Sequence, residues 1–149
     1  MKPLVVPTFA QSNDAFDYVK NGKKPIVLML LGTMWSPPSR YTMQAITDLM
    51  EEEKAYSEKV EVFFIDQDKE LDFCFQENIY VGFPTILVFV NAYLVPFASG
   101  VIADPSKADA KNRLVRQCNK KQIKTIVEGA ISVLEGKSEN ITLKFGVDA

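Results

Sequence analysis

The chain of 149 residues contains no histidine. That absence removes Ser-His and Cys-His nucleophile pairs, histidine proton shuttles and most zinc sites, because each needs an imidazole that titrates or ligates near neutral pH. Cysteine is scarce as well. Cys74 and Cys118 stand far apart and make no disulfide framework, so two reduced thiols in a cytoplasmic protein are the simplest account. The Asn140-Ile141-Thr142 sequon is then an accident. Long apolar runs are also missing: the longest, Ile26 to Leu31, falls far short of the roughly 18 residues that span a bilayer. The first ten residues include Pro3 and Pro7 and hold no continuous hydrophobic segment of signal-peptide length. The expectation is a chain that is neither exported nor anchored to a membrane.

What is present sets the remaining bounds. With 47% hydrophobic and 24% charged residues, the chain has the size and composition of one globular domain, 1–149, able to bury a real core. The net charge is only −2, but it is unevenly placed. From Asp48 to Glu77 acidic residues dominate, and from Lys107 to Lys124 the basic residues Lys107, Lys111, Arg113, Arg116, Lys120, Lys121 and Lys124 face Asp109 alone. These read as two solvated faces, or as an electrostatic docking stretch for an acidic protein or RNA. Nucleic acid is disfavoured outside a ribonucleoprotein complex, because no aromatics are interleaved for stacking and the pI is near 5.2.

The stretch around which the chain is organised is Trp35-Ser36-Pro37-Pro38-Ser39-Arg40. It follows the apolar run Ile26 to Leu31 and precedes an amphipathic segment, Tyr41 to Tyr56, so it reads as strand, turn and helix N-terminus. Side chains there face the positive end of the helix dipole. Further on, Gly82-Phe83-Pro84-Thr85 opens a second apolar run, Ile86 to Val90.

Together these elements resemble the thioredoxin family, in which the first motif is W-C-x-P-C-[KR] and the second a [GS]-[IVF]-P-T turn with a cis proline. The resemblance runs from about Phe16 to Leu134, and in it both cysteines are serine. It implies an α/β fold, a central mixed sheet of about five strands flanked by about four helices. It also implies an insertion at 101–118 before the last helix and a strand-like extension at 137–149. In the family a buried Asp and a Lys on the neighbouring strand tune the second thiol. The matching positions here are Leu30 and Val62, both apolar. An unpaired buried charge costs several kcal/mol, so two hydrophobes are the more stable core once no thiol needs tuning. A laboratory Cys-to-Ser change would give no reason to alter them.

The remaining elements follow in chain order. Lys2 to Phe9 suits a short edge strand. Ser12 or Asn13 caps a helix from Asp14 that Gly22 stops. Pro25 opens the buried strand Ile26 to Thr33, and Val60 to Asp66 is a third strand. Leu71, Cys74 and Phe75 form a helical stripe in which Cys74 is a small core residue. Thr85 to Val90 and Tyr93 to Ser99 form a hairpin about Asn91-Ala92. Asn119 caps the last helix with Gln122 three residues on, and Gly136 stops it. Ile141, Leu143, Phe145 and Val147 alternate as in a strand.

The resemblance implies a redox-inactive thioredoxin-like protein that binds another polypeptide as an adaptor, subunit or chaperone-like module. It needs no cofactor and no metal. The groove would be made by Trp35, Ser36, Val81, Gly82, Phe83 and Pro84. Two alternatives stay open: a thiol-disulfide oxidoreductase using Cys118, or an engineered inactive form of an ordinary thioredoxin. A glutathione transferase using Ser36 would need a second helical domain. Thioredoxin-fold subunits of the spliceosome resemble the chain loosely in having an insertion before the last helix and a strand-like tail.

Overall fold

The structure is a computed structural model, and it describes residues 9–76, 84–97 and 113–142. Its centre is strand β2, Ile26–Gly32, in which every residue is buried. An unbroken apolar run suits that place, because both faces of a central strand are covered. Ile26, Leu28 and Leu30 join one core cluster, while Val27, Met29 and Leu31 join the other. Strand β3, Val60–Asp66, lies parallel to β2 from Ile26 opposite Val60 to Gly32 opposite Asp66. Strand β4, Thr85–Val90, runs antiparallel on the other side. Strand β1, Phe9–Ala10, sits at the edge on Phe64 and Ile65, as expected of a first strand. The fold is α/β with a mixed sheet, as the sequence implies.

Helix α1, Ser12–Asn21, begins two residues earlier than the sequence suggests, and no side chain caps it at Gln11. Ser12 instead donates its amide and hydroxyl protons to the Glu70 carboxylate, at 2.9 and 3.1 Å, so the cap comes from a distant element. Gly22 does end the helix, and a Cβ there would lie 2.4 Å from the Tyr18 ring. Helix α2, Pro37–Glu52, carries its prolines in the first turn, where the lost N–H groups have no helical partner anyway. The amphipathic segment expected from Tyr41 to Tyr56 is broken at Glu53, whose non-helical backbone separates α2 from a short α3, Lys54–Ser57.

Helix α4, Leu71–Gln76, corrects the expected stripe. Cys74 is buried, but Leu71 and Phe75 are 48% and 84% exposed. The residue that turns inward beside Cys74 is Phe73, whose ring packs on Phe16 with centroids 5.6 Å apart. Two phenylalanines on so short a helix cannot both face the core, and the contact with α1 selects Phe73.

The hairpin turns at Asn91 and Ala92, both with positive φ, as a type I′ turn demands. Its second strand, β5, is Tyr93–Leu94 and does not run on through Val95 and Pro96; Ala98 and Ser99 of the expected strand, Tyr93 to Ser99, lie outside the described residues. Pro96 has no N–H for a ladder, and Phe97 pairs instead with Ile141 in an isolated parallel bridge. The polar insertion contains an unexpected strand, β6, Leu114–Val115, antiparallel to Thr85 and Ile86 of β4. Helix α5, Lys120–Leu134, has the expected capping box between Asn119 and Gln122 and ends before Gly136 at φ +76°. Gly129 faces Ile141, with room for no Cβ closer than 3.0 Å to that side chain. The expected strand over Lys2 to Thr8, the approach Asn78 to Phe83, residues 101–112, and Leu143, Phe145 and Val147 lie outside the described residues.

Candidate functional site

Strand β2 delivers the motif to the head of α2. Trp35 is 61% exposed, whereas Ser36 and Ser39 are buried. The junction is held by its own backbone: the Ser36 amide donates to Thr33 O at 3.4 Å, the Arg40 amide to Ser36 O at 3.1 Å, and Arg40 Nη1 to Met34 O at 2.8 Å. Ser36 occupies the N-cap of α2, with Pro37 and Pro38 following it. The usual attraction of a helix start for anions rests largely on free N–H groups. Here both prolines lack one and the Ser36 N–H is engaged, so few such groups are left at this helix start. The dipole persists, but the direct donors expected from the sequence are depleted.

Ser39 is fully buried, and among the described residues neither its Oγ nor the Oγ1 of buried Thr33 has a hydrogen-bond partner. Ser39 abuts Gly32, where a Cβ would stand 3.0 Å from Ser39 Oγ and 2.9 Å from Met43 Cε, so a larger residue there would press on both side chains. Leu30 and Val62 lie in the core cluster on the α2 side of the sheet, and Leu30 is fully buried.

Hydrogen bonds tie this head of α2 to the rest of the expected groove. Thr42 Oγ1 donates to Pro38 O at 2.8 Å and accepts the Cys118 amide at 3.0 Å. The Arg116 amide donates to Pro84 O at 3.1 Å. Pro84 is buried, and Val81, Gly82 and Phe83, with the Phe83-Pro84 peptide bond expected to be cis, lie outside the described residues. Trp35 Nε1 donates to Asp68 Oδ2 at 2.7 Å. Nothing in the sequence singles out that partner, since Asp68 lies two residues beyond the third strand and 33 residues from the indole.

The expected electrostatic stretch is partly structural. Lys120 is paired with Glu52 at 2.7 Å, which raises its pKa through that hydrogen bond, and Arg116 Nε donates to Gln117 O. Lys121 and Lys124 are exposed, Arg113 is half-buried, and Lys107 and Lys111 fall outside the described residues. Both thiols are buried. Burial pushes Cys74 up to about 11, helped by Glu70 and Asp68, and Cys118 up to about 12, against a small opposing pull from Arg116. A cavity of about 400 Å³ lies elsewhere, between the second half of α2 and β3, lined by Ile46, Met50, Val60, Val62 and Phe64 among others. No residue from Trp35 to Arg40 lines it.

Among the described residues no group of three His, Cys, Asp or Glu could hold a metal ion, and no helix is long and apolar enough to cross a membrane. No protein-family model and no curated protein matches the sequence. Solved structures do match. Chloroplastic thioredoxin z is 18% identical with a TM-score of 0.60, over 87% of this chain and 99% of that one. An N21Q mutant thioredoxin from Halobacterium salinarum NRC-1 is 16% identical with a TM-score of 0.57, over 80% of this chain and 85% of its own. Mitochondrial thioredoxin 3 from Saccharomyces cerevisiae, in its oxidised form, is 13% identical with a TM-score of 0.54, over 78% and 87%. At these identities the likeness is one of architecture, and the strand order, the crossover through α2 and the antiparallel β4 agree with it: the chain has the thioredoxin fold.

Proposed function

We propose that this chain is a thioredoxin-like protein that binds another polypeptide and does not exchange disulfides. The observation that carries the reading is the placement of sulfur. At the β2–α2 junction stand the hydroxyls of Ser36 and Ser39, and both thiols are buried at other positions with their pKa values pushed to about 11 and 12. Disulfide exchange needs an accessible thiolate that attacks sulfur and then closes a bond of its own, which a hydroxyl cannot do. The burial of Cys118 counts equally against an oxidoreductase built on that residue. In this reading Ser36 and Ser39 stand where the fold's two redox thiols would be, and Leu30 and Val62 stand where the tuning charges would be.

What remains at the junction is a contact surface. Trp35 is hydrogen-bonded through its indole N–H yet mostly exposed, and tryptophan is among the residues that dominate interface hot spots once a partner buries it. The surrounding groove would take an extended peptide segment by backbone pairing. The test is an insulin-reduction assay beside an ordinary thioredoxin, with the double variant Ser36→Cys/Ser39→Cys included. The native chain should be inactive and the variant a poor reductase, since Leu30 and Val62 leave the second thiol untuned. Native turnover comparable to that of a dithiol thioredoxin overturns the reading, and full activity of the variant overturns the argument from the apolar pair.

A further inference from the structure

Helix α4 exposes what the sequence leads one to expect in the core. Leu71 and Phe75 are four residues apart and so share a face, with Asp72 three residues before Phe75 on the same helix and Asp68 exposed in the turn that leads into it. The inward side is already occupied by Cys74 and by Phe73 against Phe16, so α4 cannot turn to bury Leu71 and Phe75 without expelling them. Asp68 in turn accepts the indole N–H of Trp35. Exposed Trp35 is thus joined to exposed Asp68, which stands three residues before Leu71 and the exposed side of α4. Single exposed apolar residues are ordinary, but a set linked in this way marks a partner site.

Charge says which partner. Between Asp66 and Asp72 the chain carries Asp66, Asp68, Glu70 and Asp72 against Lys69 alone. Several of these carboxylates are fixed: Glu70 by Ser12, Asp66 by the Asp68 amide, and Asp68 by Trp35. We propose that the face made by Trp35, Asp68, Leu71, Asp72 and Phe75 docks a segment of another protein in which apolar side chains are flanked by lysine or arginine. The apolar residues seat on Leu71 and Phe75, and the cations face Asp68 and Asp72 within the surrounding acidic run, which speeds and orients association. This rests on the polypeptide-binding reading but places the contact on α4 rather than at the Pro84 turn.

The test selects random peptides displayed on phage against the intact chain, then measures the enriched peptides in solution by fluorescence anisotropy. Peptides carrying Lys or Arg around apolar residues should dominate, and their binding should weaken as salt rises. Leu71→Ser combined with Phe75→Ser should lower affinity about tenfold or more without changing the circular dichroism spectrum, and Asp72→Lys should lower it independently. Binding that Trp35→Ala weakens while the α4 variants do not overturns the α4 site and leaves the groove reading standing. Binding that none of these variants weakens overturns both. Enrichment of acidic peptides or of none, or a concentration-dependent dimer that Phe75→Ser abolishes, also overturns the α4 proposal, the last in favour of a second copy as the occupant.

Discussion

Ser39→Ala should make the protein more stable. The side chain is fully buried and its hydroxyl has no hydrogen-bond partner, so the folded state carries a desolvated polar group that water satisfies on unfolding. An unmade bond of this kind costs about 1–3 kcal/mol. Alanine removes the oxygen and leaves a void of atomic size, which at about 24 cal/mol per Å³ returns only a few tenths of a kcal/mol. Alanine is also the better helix former by roughly half a kcal/mol. The net expectation is a gain of about 1–3 kcal/mol, or a rise in Tm of several degrees at roughly 2–4 °C per kcal/mol for a chain of this size. Urea denaturation followed by circular dichroism measures it directly, with an unchanged slope as the check that the unfolding transition is the same. Ser39→Cys should be neutral or mildly stabilising, because a thiol tolerates apolar burial. A loss of more than about 1 kcal/mol in Ser39→Ala would refute the reasoning and mean that the hydroxyl is satisfied and structural.

Three further outcomes follow from local geometry. Ala92 holds φ +68° at the hairpin turn, so Ala92→Gly should raise stability by about 1 kcal/mol, seen as a higher denaturation midpoint; no change would mean that the turn relaxes at little cost. Native Cys74 and Cys118 should resist a thiol-specific chromogenic reagent at pH 8 and react fully on unfolding. Because the Cys118 pKa is raised by folding, its contribution to stability is whole below about 9 and is lost as pH rises from 9 to about 12, at up to about 1.4 kcal/mol per pH unit. Cys118→Ala should flatten the alkaline limb of the stability curve, and rapid native labelling at pH 8 would contradict the burial.

The parts of the fold written in the sequence are those with enough repeats to average over. Helix α5 shows several turns of Ile123, Ile126, Val127 and Ala130 behind an Asn119–Gln122 box, and its start, face and stop all follow. Strands β2, β3 and β4 are apolar runs long enough to exclude other readings. Helix α4 is too short for periodicity to choose between Phe73 and Phe75, and the choice is made by Phe16 on another element. No glycine or proline marks the break at Glu53, and β6 is two residues set between Arg113 and Arg116, recognisable only once β4 offers it an edge. At the candidate site the Trp35 junction was legible as strand, turn and helix. The Asp68 partner and the unpaired Ser39 hydroxyl depend on tertiary approach, which no local pattern encodes.

Strand β2 is hydrogen-bonded along both sides, to β3 on one and β4 on the other, and is buried on both faces. Its amides can exchange with solvent only when the whole sheet comes apart, whereas β5 and β6 each touch just one end of β4 and can open alone. The peptide that carries Trp35 therefore grows directly out of the slowest-opening part of the molecule. A partner arriving at the indole meets a post already fixed in position, and little ordering entropy is left to be lost there on binding. In hydrogen-exchange experiments the binding event should accordingly leave β2 unchanged and register instead in the short flanking strands, where local opening is the least costly.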